Sequence, residues 1–265
     1  MACEPVLEVR GLSKRFADRA GREPAAWVIK DLSFTVNEGE FLTIIGPSGS
    51  GKTTLLNVLA QIETASEGEL RFQSQTTPIA DPKSLKPGLS CKIGYVTQED
   101  NLLPWRTTLQ NVLFPLLVQR RLDSETRARA QSLIRAVGLS GFENHYPHEL
   151  SGGMRKRASL IRTLVYDPPV ILMDEPFGAL DAQTRAQLQE DVLRLWSLGR
   201  KTILFVTHDI AEAIALGDRT LVLSRSPATL AGEHTNPIPR PRDIRGIMTH
   251  PQFAALYQRI RGEVQ

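Results

Sequence analysis

The stretch Phe41-Leu-Thr-Ile-Ile-Gly-Pro-Ser-Gly-Ser-Gly-Lys-Thr-Thr54 decides the fold of this chain of 265 residues. Its apolar, β-branched first half predicts a buried strand, and its glycines predict a tight loop. The residues that follow, Leu55-Leu-Asn-Val-Leu-Ala60, are good helix formers. Because strand, glycine loop and helix in this order make a phosphate-binding loop, the sequence predicts an α/β fold that binds a nucleotide. Kinases, GTPases and motor ATPases share such a loop, which does not distinguish among them.

The loop residues suit a phosphate group in three ways. Gly46, Gly49 and Gly51 let the main chain turn so that consecutive N–H groups point inward. The helix N-terminus that follows adds unpaired N–H donors and partial positive charge. Lys52 can reach the β- and γ-phosphates, and the Thr53 hydroxyl can ligate Mg²⁺. The predicted nucleotide-binding residues of this stretch are Gly46, Pro47, Ser48, Gly49, Ser50, Gly51, Lys52, Thr53 and Thr54.

The composition is that of an ordinary globular protein, with 41% apolar and 23% charged residues. The net charge of +3 is too small to indicate nucleic acid as a partner. Cys3 and Cys91 lie far apart and outside any Cys/His cluster, which argues against a disulfide scaffold or a zinc site and fits a reducing cytoplasm. We find no secretory signal and no run approaching the ~18 apolar residues of a membrane span, so we expect any membrane association to be through a partner.

Short segments of alternating apolar and polar residues flank the phosphate-binding loop. They lie near 6–10, 27–36 and 69–72. Such alternation predicts half-exposed strands, and Asn37-Glu-Gly39 predicts a hairpin turn into the strand at 41–45. We therefore expect an antiparallel β layer beside the nucleotide-binding core.

A helical region and a second group of strands follow. Helical periodicity predicts that residues 99–166 form an all-helical insertion between strands. Three later apolar runs alternate with helical stretches, and this βαβ alternation predicts a buried parallel sheet. The runs are 170–173, 202–207 and 220–223. The proline-rich segment after Ser224 predicts a surface loop, and we expect a last helix near 251–262.

An acidic pair ends the first of those later runs. Val170-Ile-Leu-Met-Asp-Glu175 delivers two carboxylates to the C-terminal edge of the sheet, where ligands bind in open α/β folds. In this position Asp174 would hold Mg²⁺ through water, and Glu175 would polarise the water that attacks the γ-phosphate. The alternative interpretation is that these residues form an acidic helix N-terminus after a buried strand. The presence of a phosphate-binding loop in the same chain makes this alternative much weaker.

The segment Leu150-Ser-Gly-Gly-Met154 predicts a second anion site. Ser151 can cap the following helix, and Gly152 and Gly153 leave bare N–H groups at its positive end. One nucleotide cannot readily lie under two such sites in one chain. Either this is an ordinary capped helix, or the second site serves a nucleotide that another copy of the chain holds.

Together the motifs resemble those of the ATPase subunit of an ABC transporter, over essentially the whole chain. The matching elements, in the family's order, are Gly46–Thr54 (Walker A), Gln98 (Q-loop), Leu150–Met154 (signature), Val170–Glu175 (Walker B), Gly178-Ala-Leu-Asp181 (D-loop) and His208 (switch histidine). The resemblance implies hydrolysis of MgATP by a head-to-tail homodimer with two composite sites. ATP would favour the closed dimer because it contacts both halves only in that state.

The resemblance also assigns roles to single residues. It implies that Glu175, His208 and Gln98 are catalytic and that Thr53, Gln98 and Asp174 serve the Mg²⁺ ion. Phe16 matches the aromatic residue that stacks on adenine in the family, with Trp27 as its rival. The other chain of the dimer would supply Ser151, Gly152 and Gly153 to each site.

Three stretches resemble the importer ATPases of the nitrate, sulfonate and taurine group. They are Leu102-Leu-Pro-Trp-Arg106, Tyr146-Pro-His-Glu-Leu-Ser-Gly-Gly-Met154 and Asp174-Glu-Pro-Phe-Gly-Ala-Leu-Asp-Ala182. This resemblance implies uptake of a small anion, a permease bound at 101–106, a substrate-binding protein upstream and a peripheral location on the cytoplasmic face of the inner membrane. Lys156, where glutamine is usual, and Gln61-Ile-Glu-Thr-Ala65, where a Gly-Leu turn is usual, depart from the pattern.

We therefore expect a P-loop α/β fold with a parallel core sheet, an antiparallel β subdomain and a helical subdomain. The ATPase domain would span 1–225, and 226–265 would form a C-terminal extension packed on it. The alternative function is that of an ABC ATPase acting on nucleic acid or ribosomes. Chromosome-associated members need a long coiled-coil insertion and ribosome-associated members carry two ATPase units, whereas this chain has neither feature. A small-molecule kinase would leave Leu150–Gly153 unexplained.

Overall fold

The computed structural model describes residues 5–17, 24–73, 75–77, 92–178, 180–199 and 201–264. Cys3, Cys91 and Ala179 of the D-loop lie outside these ranges. The strands are β1 Pro5–Ala17, β2 Pro24–Asn37, β3 Phe41–Ile45, β4 Glu67–Phe72, β5 Gln75–Thr77, β6 Ile93–Val96, β7 Val170–Asp174, β8 Thr202–Thr207, β9 Arg219–Leu223 and β10 Leu230–Thr235. The helices are α1 Lys52–Leu59, α2 Thr108–Val118, α3 Ser124–Ala136, α4 Gly152–Leu164, α5 Ala182–Gly199, α6 Ile210–Leu216 and α7 Phe253–Glu263.

The larger sheet has the strand order β10-β9-β3-β8-β7-β6 and is parallel except for the edge strand β10. The central strands β3, β7 and β8 are buried along their whole length, as strands covered on both faces must be. In register, Ile45 pairs with Thr207 and Asp174 pairs with Val206. The carboxyl ends of three strands that are far apart in the sequence therefore meet at one edge.

The smaller sheet, in the order β2-β1-β4-β5, is antiparallel throughout. One apolar cluster joins the smaller sheet to the larger sheet, and α1 contributes side chains to this cluster. Leu55, Leu56 and Leu59 of that helix are fully buried in the cluster. The helix that follows the phosphate-binding loop is therefore fixed by packing against both sheets.

The helices α2, α3 and α4 form a separate apolar cluster, to which Val112, Ile134 and Ile161 contribute fully buried side chains. Each of the three helices has a side-chain N-cap, from Thr107, Asp123 and Ser151 respectively. This confirms a helical insertion between β6 and β7. No helix in the described part of the chain is long and apolar enough to cross a membrane.

Two sequence predictions were wrong. The segment after Ser224 is not only a loop, because β10 pairs antiparallel with β9 and extends the larger sheet. The residues of β10 alternate between half-buried and exposed, but few of them are apolar, because an edge strand needs only one partly covered face. The turn at 37–39 does not close a hairpin, because β2 pairs with β1 while β3 pairs with β8 and β9. It connects the two sheets instead.

Candidate nucleotide-binding site

The loop between β3 and α1 is held in shape by its own lysine. Lys52 Nζ donates hydrogen bonds to the main-chain oxygens of Gly46, at 2.9 Å, and Pro47, at 2.8 Å. Its side chain is buried, which lowers the pKa of Lys52, while the carboxylates of Glu175 and Asp174 act to raise it. The ammonium group therefore lies inside the loop and within the field of the two carboxylates.

The glycines of the loop are required by close contacts. Gly51, at φ 84°, precedes α1, and a Cβ there would lie 2.9 Å from Val28 Cγ1. A Cβ on Gly46 would lie 2.9 Å from both Leu223 O and Ser50 Oγ. No side chain caps α1, so its first N–H groups stay available to an anion. The buried Ser50 hydroxyl also has no hydrogen-bond partner among the described residues, which fits a ligand in the loop.

Asp174 ends β7 beside the start of α1. Burial raises the pKa of Asp174, and a hydrogen bond with the Thr53 hydroxyl opposes that shift. A hydroxyl and a carboxylate are hard oxygen donors of the kind that Mg²⁺ prefers. Within the described ranges, no three His, Cys, Asp or Glu side chains lie close enough together to hold a metal ion. The residues present therefore fit a Mg²⁺ ion that takes its other ligands from phosphate and water.

Glu175 and His208 are brought together by neighbouring strands. Glu175 has φ 40°, a positive value rare outside glycine, and its N–H donates to Val206 O of β8 at 3.0 Å. Its Oε2 lies 2.8 Å from His208 Nδ1. A Cβ placed on Gly178 would lie 3.9 Å from that Oε2 and 3.8 Å from Gln98 Nε2. Glu175 thus contacts His208 directly, and Gly178 lies beside both the Glu175 carboxylate and the Gln98 amide.

The cleft over the phosphate-binding loop distinguishes the two candidate aromatic residues, Phe16 and Trp27. It is lined by Phe16, Val28, Glu175 and loop residues between Ser48 and Thr54. The Phe16 ring is 41% exposed, and Lys14 Nζ lies 4.7 Å from its centroid. Trp27 does not line this cleft, and its ring packs under Arg15. The geometry favours Phe16 over Trp27 as the base-stacking residue.

Two residues near this cleft escaped the sequence analysis. Val28 lines it directly, whereas Lys14 contacts the Phe16 ring with an ammonium group that is hydrogen-bonded to Glu63 Oε2 and Thr64 O. The spacing of Lys14 and Phe16 gave no signal of this contact, because the pairing of β1 with β2 shifts register on both sides of Arg15. Val28 carried none, since an apolar residue in an alternating strand is ordinarily core.

The signature segment lies apart from this cleft. Ser151 caps α4 by accepting a hydrogen bond from the Met154 N–H at 3.3 Å, and Ser151 and Gly152 are exposed. A Cβ on Gly153 would lie 2.7 Å from Thr184 Cγ2, so this glycine also serves packing against α5. In the part of the chain that the structure covers, no hydrogen bond or ion pair joins 151–153 to the phosphate-binding loop. The structure does not bring the second anion site to the first.

The loop 101–106 is hydrogen-bonded to α2 and exposes a tryptophan ring. The Asn111 side chain, fully buried, donates to the main-chain oxygens of Leu103, Arg106 and Thr107 and accepts from the Leu103 N–H at 2.7 Å. Leu102 is buried in the helical cluster and belongs to its core. Trp105, by contrast, is 70% exposed.

Comparisons with known protein families and with related proteins agree with the family predicted from the motifs. The family model described as ABC transporter matches residues 29–178. The uncharacterised ABC transporter ATP-binding protein MJ0412 of Methanocaldococcus jannaschii is 42% identical over 241 residues, covering 91% of this chain and 86% of the relative. The aliphatic sulfonates import ATP-binding protein SsuB of Bacillus cereus is 38% identical over 89% of this chain and 88% of its own length. The taurine import ATP-binding protein TauB of Yersinia pestis is 38% identical over 98% of this chain and 97% of its own length.

Solved structures confirm the predicted fold. The dimeric structure of MJ0796, a bacterial ABC transporter cassette, superposes with a TM-score of 0.75 at 34% identity, covering 86% of this chain and 98% of that one. A dimeric post-hydrolysis state of the same cassette, bound to ADP and Pi, superposes with a TM-score of 0.74. On the family match, the relatives and the fold, this chain belongs to the ATP-binding subunits of the ABC transporter family and is an ABC ATPase.

Proposed function

We propose that this chain is the ATP-hydrolysing subunit of an importer for a small anion such as a sulfonate, taurine or nitrate. The site observation that carries the proposal is the Glu175–His208 pair, 2.8 Å apart at the carboxyl edge of the sheet, beside a phosphate-binding loop closed by Lys52. The importer names of SsuB and TauB supply the transport class. They favour transport over the alternative of an ABC ATPase acting on nucleic acid or ribosomes.

In the proposed mechanism the residues Gly46 to Thr54 bind the phosphates of ATP and Phe16 stacks on the base. Thr53, Asp174 and Gln98 would hold a Mg²⁺ ion, which neutralises charge on the β- and γ-phosphates when bound. Glu175 polarises the attacking water as a general base. His208, 2.8 Å from Glu175, orients that carboxylate and contacts the γ-phosphate.

We further propose that the site is completed by a second copy of the chain. The support is the exposure of Ser151 and Gly152 at the N-terminus of α4, away from the phosphate-binding loop of their own chain. The related cassette MJ0796 is dimeric, in line with such an arrangement. ATP would bridge the loop of one copy and residues 151–153 of the other, and hydrolysis would release the two.

The permease would bind at residues 101–106, where Trp105 offers an exposed ring on a loop held in place by Asn111. That contact would place the chain peripherally on the cytoplasmic face of the inner membrane, with a substrate-binding protein acting upstream. The division into an ATPase domain at 1–225 and an extension at 226–265 remains a prediction. Packing of α7 against α6 and β10 supports an extension fixed to the domain.

The test is a pull-down of tagged Glu175→Gln protein, with ATP, from gently solubilised membranes of the source cell. We expect mass spectrometry to find a multi-span permease whose relatives define the substrate. Trp105→Ala should reduce the recovered permease, whereas Met248→Ala should not, because Met248 is similarly exposed, at 65%, but lies far along the chain from that loop. Recovery of ribosomal or DNA-bound proteins in place of a permease would support the alternative function.

A further inference from the structure

The signature helix α4 holds the main chain of the Q-loop. Lys156 Nζ donates to the main-chain oxygen of Gln98 and, at 3.5 Å, to that of Thr97. Further along the same helix, Arg162 donates to the main-chain oxygens of Asp100, at 2.9 Å, and Asn101, at 2.6 Å. These contacts fix the segment 97–101 to the helix that begins at the signature.

Lys156 is the contact that reaches Gln98. Within the described ranges this is the only hydrogen bond that involves Gln98, and its side chain is exposed. Lys156 thus makes the direct hydrogen bond to the Gln98 main chain, and Arg162 holds Asp100 and Asn101 beside it. The Gln98 amide lies beside Gly178 and the Glu175 carboxylate. The hydrogen bond from Lys156 therefore contributes to where that amide lies.

The charge on Lys156 needs this arrangement. Lys156 lies half-buried in the second turn of α4, and no acidic residue stands in the first turn of that helix. Burial lowers the pKa of Lys156, while Asp100 and Glu99 act to raise it. The neighbouring Arg155 pairs with Asp100 at 3.1 Å. The main-chain oxygens of the Q-loop thus serve as acceptors for an ammonium group that would otherwise be poorly compensated.

We propose that Lys156 is a positioning residue that holds Gln98 at the active site and makes the Q-loop move together with the signature helix. The inference rests on the proposed role of Gln98 toward Mg²⁺ and water. If the nucleotide of a second copy displaces Ser151, the movement would pass along α4 and through the hydrogen bond from Lys156 to Gln98. It would thus reach the active site of the chain to which Ser151 belongs.

The test measures ATP hydrolysis against Mg²⁺ concentration for Lys156→Met, Gln98→Ala and the double variant. We expect Lys156→Met to lower kcat about 10-fold, the lower end of the scale of one charge-assisted hydrogen bond, and to raise the Mg²⁺ concentration at half-maximal rate. Metal-free nucleotide affinity and Tm should not change. A purely structural role would alter those two quantities and leave the Mg²⁺ dependence as it is. Lys156→Arg, which keeps charge and donors, should restore the wild-type Mg²⁺ dependence.

The double variant separates the possible outcomes. If Lys156 acts through Gln98, the double variant is no slower than Gln98→Ala alone. If the rate losses of the two single variants multiply in the double variant, the positioning role is overturned. It is also overturned if Lys156→Met hydrolyses ATP at the wild-type rate while Gln98→Ala is impaired. Neither result affects the proposed role of Gln98. Wild-type activity in Gln98→Ala would overturn both the proposed role of Gln98 and the positioning role of Lys156. Lys201→Met, which removes a lysine paired with Asp167 at 3.0 Å, is the matched control and should behave as wild type. Lys156→Ala, which also removes the ammonium group and leaves no donor, replaces Lys156→Met if that variant does not fold.

Discussion

The helices α1 and α4 both have a glycine at or next to the N-cap, but the chain surrounds the two N-termini differently. At α1 no side chain caps the helix, Lys52 is buried, and its ammonium group is bound to the carbonyls of the loop. At α4 the hydroxyl of Ser151 caps the helix, and Ser151 and Gly152 are exposed. One N-terminus lies inside a cleft made by its own chain, and the other faces outward.

The glycines at the two helix starts show the same difference. A Cβ on Gly51 would meet Val28 Cγ1 at 2.9 Å, whereas the nearest atom to a Cβ on Gly152 is Arg155 Nη2 at 3.9 Å. The first glycine is required by its own chain. The second is not, so any requirement for it must come from a ligand or another molecule. The comparison indicates that the chain encloses one half of a site and presents the other half outward.

The largest expected effect is that of Glu175→Gln, which keeps the shape of the first half but removes its base. We expect ATP turnover to fall about 1000-fold while ATP binding remains, because a general base contributes on that order. Phosphate release measures turnover, and size-exclusion chromatography with MgATP should show a stable dimer. Glu38→Gln, at an exposed turn, is the control and should hydrolyse ATP normally. Wild-type turnover in Glu175→Gln would refute the role given to this residue.

The second prediction tests the outward-facing half. Ser151→Arg should lower hydrolysis about 100-fold, the scale of losing an oxyanion donor, and leave ATP affinity of the isolated chain unchanged. Lys52→Ala should be inactive through the other half. Mixing the two inactive proteins should recover activity, because a head-to-tail dimer of the two variants contains one site with intact Lys52 and Ser151. No recovery, or a loss of ATP affinity in Ser151→Arg, would mean that the signature acts within its own chain.

The third prediction concerns stability at the two glycines. Gly51→Ala should destabilise the chain by about 1–2 kcal/mol, because its φ of 84° is unfavourable for alanine and the Cβ would contact Val28. Gly152→Ala should not destabilise it, since the space is open and alanine favours the helix. Urea unfolding without nucleotide measures both. Equal destabilisation by the two changes would break the comparison.

The smallest expected effect is the pH dependence that Asp174 imposes on the enclosed half. Burial raises the pKa of Asp174 above its unfolded value, so its contribution is most favourable when it is protonated and is lost as pH rises through the folded pKa. Asp174→Asn should therefore stabilise the nucleotide-free chain at neutral pH by about 1 kcal/mol and flatten this part of the stability–pH profile. Thermal unfolding at several pH values measures it, with Glu38→Gln again as the control. An unchanged profile would contradict the expected cost of the buried carboxylate.

The sequence by itself determined the local elements and the residues that carry chemistry. The strands 41–45 and 202–207 were predicted with the bounds that the structure shows, because a continuous apolar run between turn residues has few alternatives. The phosphate-binding loop was also predicted from the sequence, since only glycine fits the close approach at Gly46 and the left-handed conformation at Gly51. The strand and the glycine pattern are local in the sequence, although the close contacts that require Gly46 and Gly51 come from Leu223 and Val28.

The tertiary structure alone decided which of these residues meet. The contact between Glu175 and His208 follows from β7 lying beside β8, and the hydrogen bond from Lys156 to Gln98 follows from α4 packing over the Q-loop. The pairing of β10 with β9 and the choice of Phe16 over Trp27 are decisions of the same kind. A periodic pattern tells which face of an element is buried, but not which element covers it. That choice is made by the packing of distant segments, which is why it appears only in the folded chain.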